Sequence, residues 1–156
     1  MGWFFEIRKE SALAEHCLGQ GEVARAGEHA TRLLAAASDK GTPTYGITAH
    51  KLLADVALAE GRLQDAVAAL DTALDLLRVH PCPLIAWRTF ATLGRLRARQ
   101  GSSEEARAAF GEAAAVVHGI AETVPDEALR RRFLDSPAVR EVLSGARGEL
   151  GPLPTR

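Results

Sequence analysis

Apolar residues recur at intervals of three and four along most of the chain. Trp3, Phe4, Ile7, Leu13, Ala14, Cys17 and Leu18 share one helical face before Gly19-Gln20-Gly21 interrupts the pattern. Such spacing puts side chains on one side of an α-helix, so a helix is predicted over 3–19. The same pattern predicts a second helix over 22–38, through Val23, Ala26, Ala30 and Leu33, and a third over 44–59, through Ile47, Leu52, Leu53 and Val56. A fourth, over 62–79, carries Leu63, Ala66, Leu70, Ala73 and Leu77; a fifth, over 84–99, carries Trp87, Phe90, Leu93 and Leu96; a sixth, over 103–122, carries Ala106, Phe110, Ala113 and Val117. After Val124-Pro125 the pattern shortens, predicting helices over about 126–134 and 137–147.

The punctuation is as regular as the helices. Gly21, Gly61 and Gly101 stand 40 residues apart, each at a tight turn between helices, with Gly61 in the slot of a C-cap glycine. The following positions repeat with them: Ala26, Ala66 and Ala106; then Ala30, Leu70 and Phe110; then Leu33, Ala73 and Ala113. A fixed period of this length marks a stacked repeat, in which each helical pair buries its apolar face against its neighbours. Small residues are expected where helices approach closely, at Ala26, Ala66, Ala106 and Gly94, with Leu70 and Phe110 filling the space between. Other stops are expected from Gly41-Thr42-Pro43, Pro81-Cys82-Pro83 and Asp135-Ser136-Pro137, with Ser102 or Ser103 and Ser136 as N-cap residues.

Gly61, Ala66, Leu70 and Ala73, with Leu53 and Ala54 upstream, resemble the tetratricopeptide (TPR) repeat. Gly101, Ala106, Phe110 and Ala113, with Leu93 and Gly94, resemble it too, and Leu13, Ala14, Gly21, Ala26, Ala30 and Leu33 form a weaker first copy. The family period is about 34 residues, so the second helix of each pair is longer here. The resemblance implies an all-α, right-handed superhelical solenoid of three hairpins, over about 3–40, 43–80 and 83–124. Capping helices over 125–147 and a flexible tail over 148–156 would complete a single domain. Long-period arrays of this kind are similar to the C-terminal arrays of large bacterial signalling ATPases and transcription regulators. The resemblance implies a protein-binding scaffold, or alternatively a regulatory or sensor domain whose repeat packing responds to a ligand or partner ATPase.

Composition adds limits to this picture. The 156 residues are 47% hydrophobic and 25% charged, which suits one folded domain. A net charge of −1 gives no general basic excess for nucleic acid or a membrane surface. The signs are uneven: residues 1–83 carry 8 Lys/Arg against 11 Asp/Glu, and residues 84–156 carry 11 against 9. Two cysteines in unlike settings, Cys17 on an apolar stripe and Cys82 between prolines, disfavour a disulfide and fit a reducing cytoplasm. No apolar run approaches the ~20 residues that span a bilayer, and the N-terminus lacks signal-peptide features.

No constellation calls for catalysis. His16, His29, His50, His80 and His118 form no metal-ligand spacing and are expected on the surface or between helices. Gly19-Gln20-Gly21 has neither the preceding strand nor the following Lys-Ser/Thr of a phosphate loop. The expectation is no enzyme activity and no cofactor. Glu104–Glu105 and Asp126–Glu127 begin helices, where carboxylates complement the dipole.

Binding is expected instead on the first helix of each pair. Its outward stripe holds Lys51, Asp55, Arg88, Arg95 and Arg99, with Arg8, Ser11 and Glu15 at equivalent positions of the first helix. Arginines on one helical face suit an acidic peptide or a chain-terminal carboxylate; the plainer reading is a solvated face. Arg130-Arg131-Arg132 is expected to be solvated, with one arginine bonded to a carboxylate. Trp3, Phe4 and Phe5 either fold back onto the second helix or form an exposed patch through which the chain pairs with a second copy.

Overall fold

The computed structural model describes residues 2–149, and these are helical wherever they are regular. The order is α1 (Gly2–Gly19), α2 (Val23–Lys40), α3 (Pro43–Ala59), α4 (Leu63–Val79), α5 (Pro83–Arg99), α6 (Ser103–Thr123), α7 (Glu127–Leu134) and α8 (Pro137–Ala146). Each lies within two residues of its expected span. The expected flexible tail over 148–156 falls outside the described residues from 150 onward.

The three period glycines make one turn three times. Gly21, Gly61 and Gly101 have φ of 77°, 74° and 81°, the left-handed region that a side chain disfavours. After α3, the Gly61 amide donates to Leu58 O (3.1 Å) and the Arg62 amide to Ala57 O (2.8 Å). After α1, Gly21 donates to Leu18 O and Glu22 to Cys17 O; after α5, Gly101 donates to Ala98 O and Ser102 to Arg97 O. This is the Schellman arrangement, which satisfies the orphan carbonyls of a helix end. In each turn the last donor immediately caps the next helix: Ala26, Ala66 and Ala106 donate to the carbonyls of Glu22, Arg62 and Ser102.

The other turns use proline and side chains. Gly41, at φ 59°, ends α2, and Pro43 starts α3 at a position where a missing N–H costs nothing. Ser102 takes the N-cap position of α6 as expected, yet its side chain makes no capping bond. Ser136 precedes Pro137 as expected, but its hydroxyl turns back to Phe133 O at 2.8 Å. Asp126 is the true side-chain cap, accepting from the Leu129 amide at 3.0 Å.

The chain forms two compact units, Met1–Cys82 and Pro83–Arg156. In the first unit α1 packs on α2, α2 on α3, α3 on α4, and α1 also reaches α3. Ile7, Ala14, Ala30, Leu33, Ala49 and Leu52 form one core cluster; Cys17, Ala26 and Val56 form another. Leu70 and Ala73 on α4 are buried as expected.

In the second unit α5 packs on α6, and α6 carries α7 and α8. Its core joins Trp87, Ala91, Phe110, Ala113, Val117, Val139 and Val142. Phe110 is clasped between two glycines. A Cβ on Gly94 of α5 would stand 2.7 Å from the ring, and one on Gly145 of α8 would stand 2.5 Å from it. Gly94 plays the close-approach role expected of it. Gly145 lies outside the period, and no sequence pattern marks it.

Candidate functional site

Lys51 and Asp55 sit one turn apart on α3, in the first unit. Lys51 Nζ lies 2.8 Å from Asp55 Oδ2, with the side chains only 16% and 11% exposed. At i,i+4 spacing the two charges answer each other. They are therefore an internal pair more than a display for a ligand.

Arg88, Arg95 and Arg99 lie on α5, in the second unit. The guanidinium of Arg88 rests over the Trp87 ring, 5.1 Å from its centroid. Such stacking is favourable because the ring face carries negative charge density. Arg95 is half-buried, and its Nε donates to Glu141 Oε1 of α8 at 2.7 Å. Its Nη1 also approaches Thr92 Oγ1 at 3.4 Å. Arg99 is exposed near the end of α5. Part of the stripe read as peptide-binding thus holds α8 to α5.

In the arginine run Arg131 and Arg132 are exposed and Arg131 bonds a carboxylate, as expected; Arg130 alone turns inward. Arg130 folds under the end of α6 and donates to Ala121 O (3.0 Å) and Val124 O (2.6 Å from Nη2), so carbonyls rather than a carboxylate receive it. A cation at a helix C-terminus meets unsatisfied carbonyls and the negative dipole end. Arg131 pairs with Glu127 at 3.2 Å across one turn. A shallow depression of about 400 Å³ beside Arg130 is lined by His118, Ala121, Glu122 and Leu134.

The aromatic start of α1 stays outside. Trp3 and Phe4 are each 42% exposed and Phe5 is 76% exposed. Trp3 and Phe4 meet edge to face at 5.9 Å, and Phe4 meets Tyr45 of α3 in the same way at 6.4 Å. Arg8 lies over Phe4, 5.7 Å from the ring centroid. The three rings are exposed, and Phe4 reaches a tyrosine of α3. Ser11 on α1 is half-buried and Glu15 exposed.

One cluster escaped the sequence reading. Glu10 is 6% exposed and His29 9%, and His29 Nδ1 stands 2.6 Å from Glu10 Oε2. Arg32 Nη1 lies 3.5 Å from the same carboxylate oxygen and 3.3 Å from Nδ1. Nδ1 cannot donate to the carboxylate and accept from the guanidinium together. The shorter contact decides: Nδ1–H donates to Glu10, and Arg32 is drawn by the carboxylate charge. Lys9 Nζ, 3.8 Å from Glu10 Oε1, adds a second cation. The sequence signal for the burial of Glu10 is that it falls in register with Ile7, Ala14 and Cys17.

His50 on α3 is half-buried, and burial pushes its imidazole below the ordinary value of 6.5. Thr89 and Thr92 are fully buried and satisfy their hydroxyls on the carbonyls of Ile85 and Arg88. Cys17 and Cys82 are free thiols. Among the described residues no group of three or more His, Cys, Asp or Glu could hold a metal ion, and no helix is long and apolar enough to cross a membrane. No known protein family, characterised protein or solved structure matches the chain.

Proposed function

We propose that the chain is a protein–protein interaction module made of three TPR-like hairpins, a scaffold with no chemistry of its own. Support for the repeat comes from the three turns at Gly21, Gly61 and Gly101, which share a left-handed φ and the same pair of Schellman hydrogen bonds. Support for binding rests chiefly on one observation: the exposed cluster of Trp3, Phe4 and Phe5. Large aromatic rings left in water beside a packed core are costly to keep, and contiguous patches of this kind mark partner sites. Trp, Tyr and Arg are also the side chains that most often dominate binding energy at interfaces. The arginines of α5 offer a second, polar contact through Arg88 and Arg99.

Affinity capture with the full chain as bait, followed by mass spectrometry, tests the reading. A partner retained by the wild type should fall by about 30-fold with Phe5→Ser, the loss expected for a hot-spot residue. Phe5 is exposed enough for the variant to fold, which circular dichroism checks. Retention of every captured protein by both Phe5→Ser and Trp3→Ser would remove the patch from the proposal.

A further inference from the structure

The aromatic patch carries information about its partner in the charges around it. On α1, Glu6 and Lys9 neutralise each other, with Lys9 Nζ 3.1 Å from both carboxylate oxygens. Glu10 is turned inward to His29 and Arg32. Arg8 differs from these: it lies over Phe4, and among the described residues no carboxylate stands within ion-pair distance of it. The patch therefore presents the exposed rings of Trp3, Phe4 and Phe5, with Tyr45 against Phe4, a cation at the edge and no unpaired carboxylate beside it among the described residues. The imbalance is local, because the first unit carries more acidic than basic residues.

We infer that the start of α1 is a docking surface for a partner segment that presents aliphatic side chains beside a carboxylate, with Arg8 receiving that carboxylate. This rests on the interaction role proposed above and names the chemistry of the partner. The aliphatic groups cover the ring faces of Trp3, Phe4 and Phe5 and remove them from water. The guanidinium already stacked on Phe4 is oriented by the ring, so its N–H edge can make a two-pronged bond to an incoming carboxylate. A second copy of this chain fits less well. A two-fold pairing presents the same patch from both sides, so it would have to supply the carboxylate itself, and the α1 carboxylates Glu6 and Glu10 are already engaged by Lys9, His29 and Arg32.

The test uses the full chain and two synthetic helical peptides, one with a leucine stripe flanked by glutamates, the other with the glutamates replaced by lysines. Trp3 is 42% exposed and Trp87 is 3% exposed, so a blue shift of tryptophan emission on titration reports burial of Trp3. The Leu/Glu peptide should produce a saturable shift, with the Leu/Lys peptide about 10-fold weaker, the scale of one favourable against one unfavourable charge contact. Arg8→Glu should invert that preference without altering the circular dichroism spectrum. Equal binding of both peptides that still weakens with Phe5→Ser, a change that keeps the Trp3 reporter, would overturn the acidic-partner inference and leave the interaction role standing. No binding of either peptide to any variant would overturn the inference and remove the patch as support for that role. A shift that appears on raising protein concentration alone, or on adding phosphatidylglycerol vesicles in preference to peptide, would also overturn it, by assigning the surface to a second copy or to a membrane.

Discussion

The position four residues after the period alanine is filled by Ala30 and Leu70 in the first unit and by Phe110 in the second. The two units solve the resulting packing problem in opposite ways. Phe110 needs room, and Gly94 and Gly145 supply it by having no Cβ, so two further helices close directly on the ring. Ala30 fills little, and the core it joins also admits a polar bridge from Glu10 on α1 to His29 on α2. One slot is thus held by shape and the other borders a site held by charge. Close packing of an aromatic ring is strong and intolerant of change. A buried ion-bonded pair is intolerant of losing one partner, though replacement of both by apolar groups is often neutral.

Substitutions that break this comparison should rank accordingly. Phe110→Ala is expected to be the most damaging, at about 3–5 kcal/mol, since it empties a site that nothing nearby can collapse to fill. Urea unfolding would measure it, and a loss under 1 kcal/mol, roughly what an exposed position costs, would deny Phe110 its place at the centre of the second unit. Glu10→Ala should cost about 1–3 kcal/mol by stranding the His29 N–H away from water. The sharper measurement is a double-mutant cycle: Glu10→Leu with His29→Leu should recover most of the loss of either single change. Additive losses would mean that the two side chains do not act as a pair.

Gly61→Ala comes next, at about 1–2 kcal/mol, from forcing a Cβ into a left-handed conformation. Nothing crowds that position, so the whole cost is conformational. Gly145→Ala has the opposite origin, because its backbone is ordinary and its Cβ would strike Phe110. Pairing Gly145→Ala with Phe110→Leu should relieve that strain, whereas no neighbouring change should relieve Gly61→Ala.

The smallest effect concerns pH. His50 has its folded value lowered by burial. The unfolded chain therefore binds a proton more readily, and stability falls as pH drops through the ordinary value of 6.5 toward the folded one. Above that window His50 contributes no pH dependence. Urea midpoints compared at about pH 5 and pH 7.5 should fall less for His50→Gln than for the wild type; parallel behaviour of the two would show that His50 is not the group responsible.

What the chain could declare by itself was whatever depends on near neighbours in sequence. Helix spans follow from three- and four-residue spacing, and the turns follow from the backbone freedom of Gly21, Gly41, Gly61 and Gly101. The small residues of the period, Ala26, Ala66 and Ala106, are buried as their spacing required. All are local consequences of helix geometry, and a repeated sequence makes them easier to see. Tertiary structure alone decided which distant groups would meet. Trp3 lies on the same stripe as Ile7, Ala14 and Cys17, yet it is exposed, since the packing that covers that stripe stops short of its first turn. Glu10 reads as a surface residue until His29 arrives from another helix. Arg130 reads as one of three solvated arginines until α7 folds it beneath the carbonyls that end α6. Gly145 has no reason to be glycine until Phe110 lies against it. Periodicity names the face of a helix, but the partner on that face is set by how chain segments far apart in sequence come together.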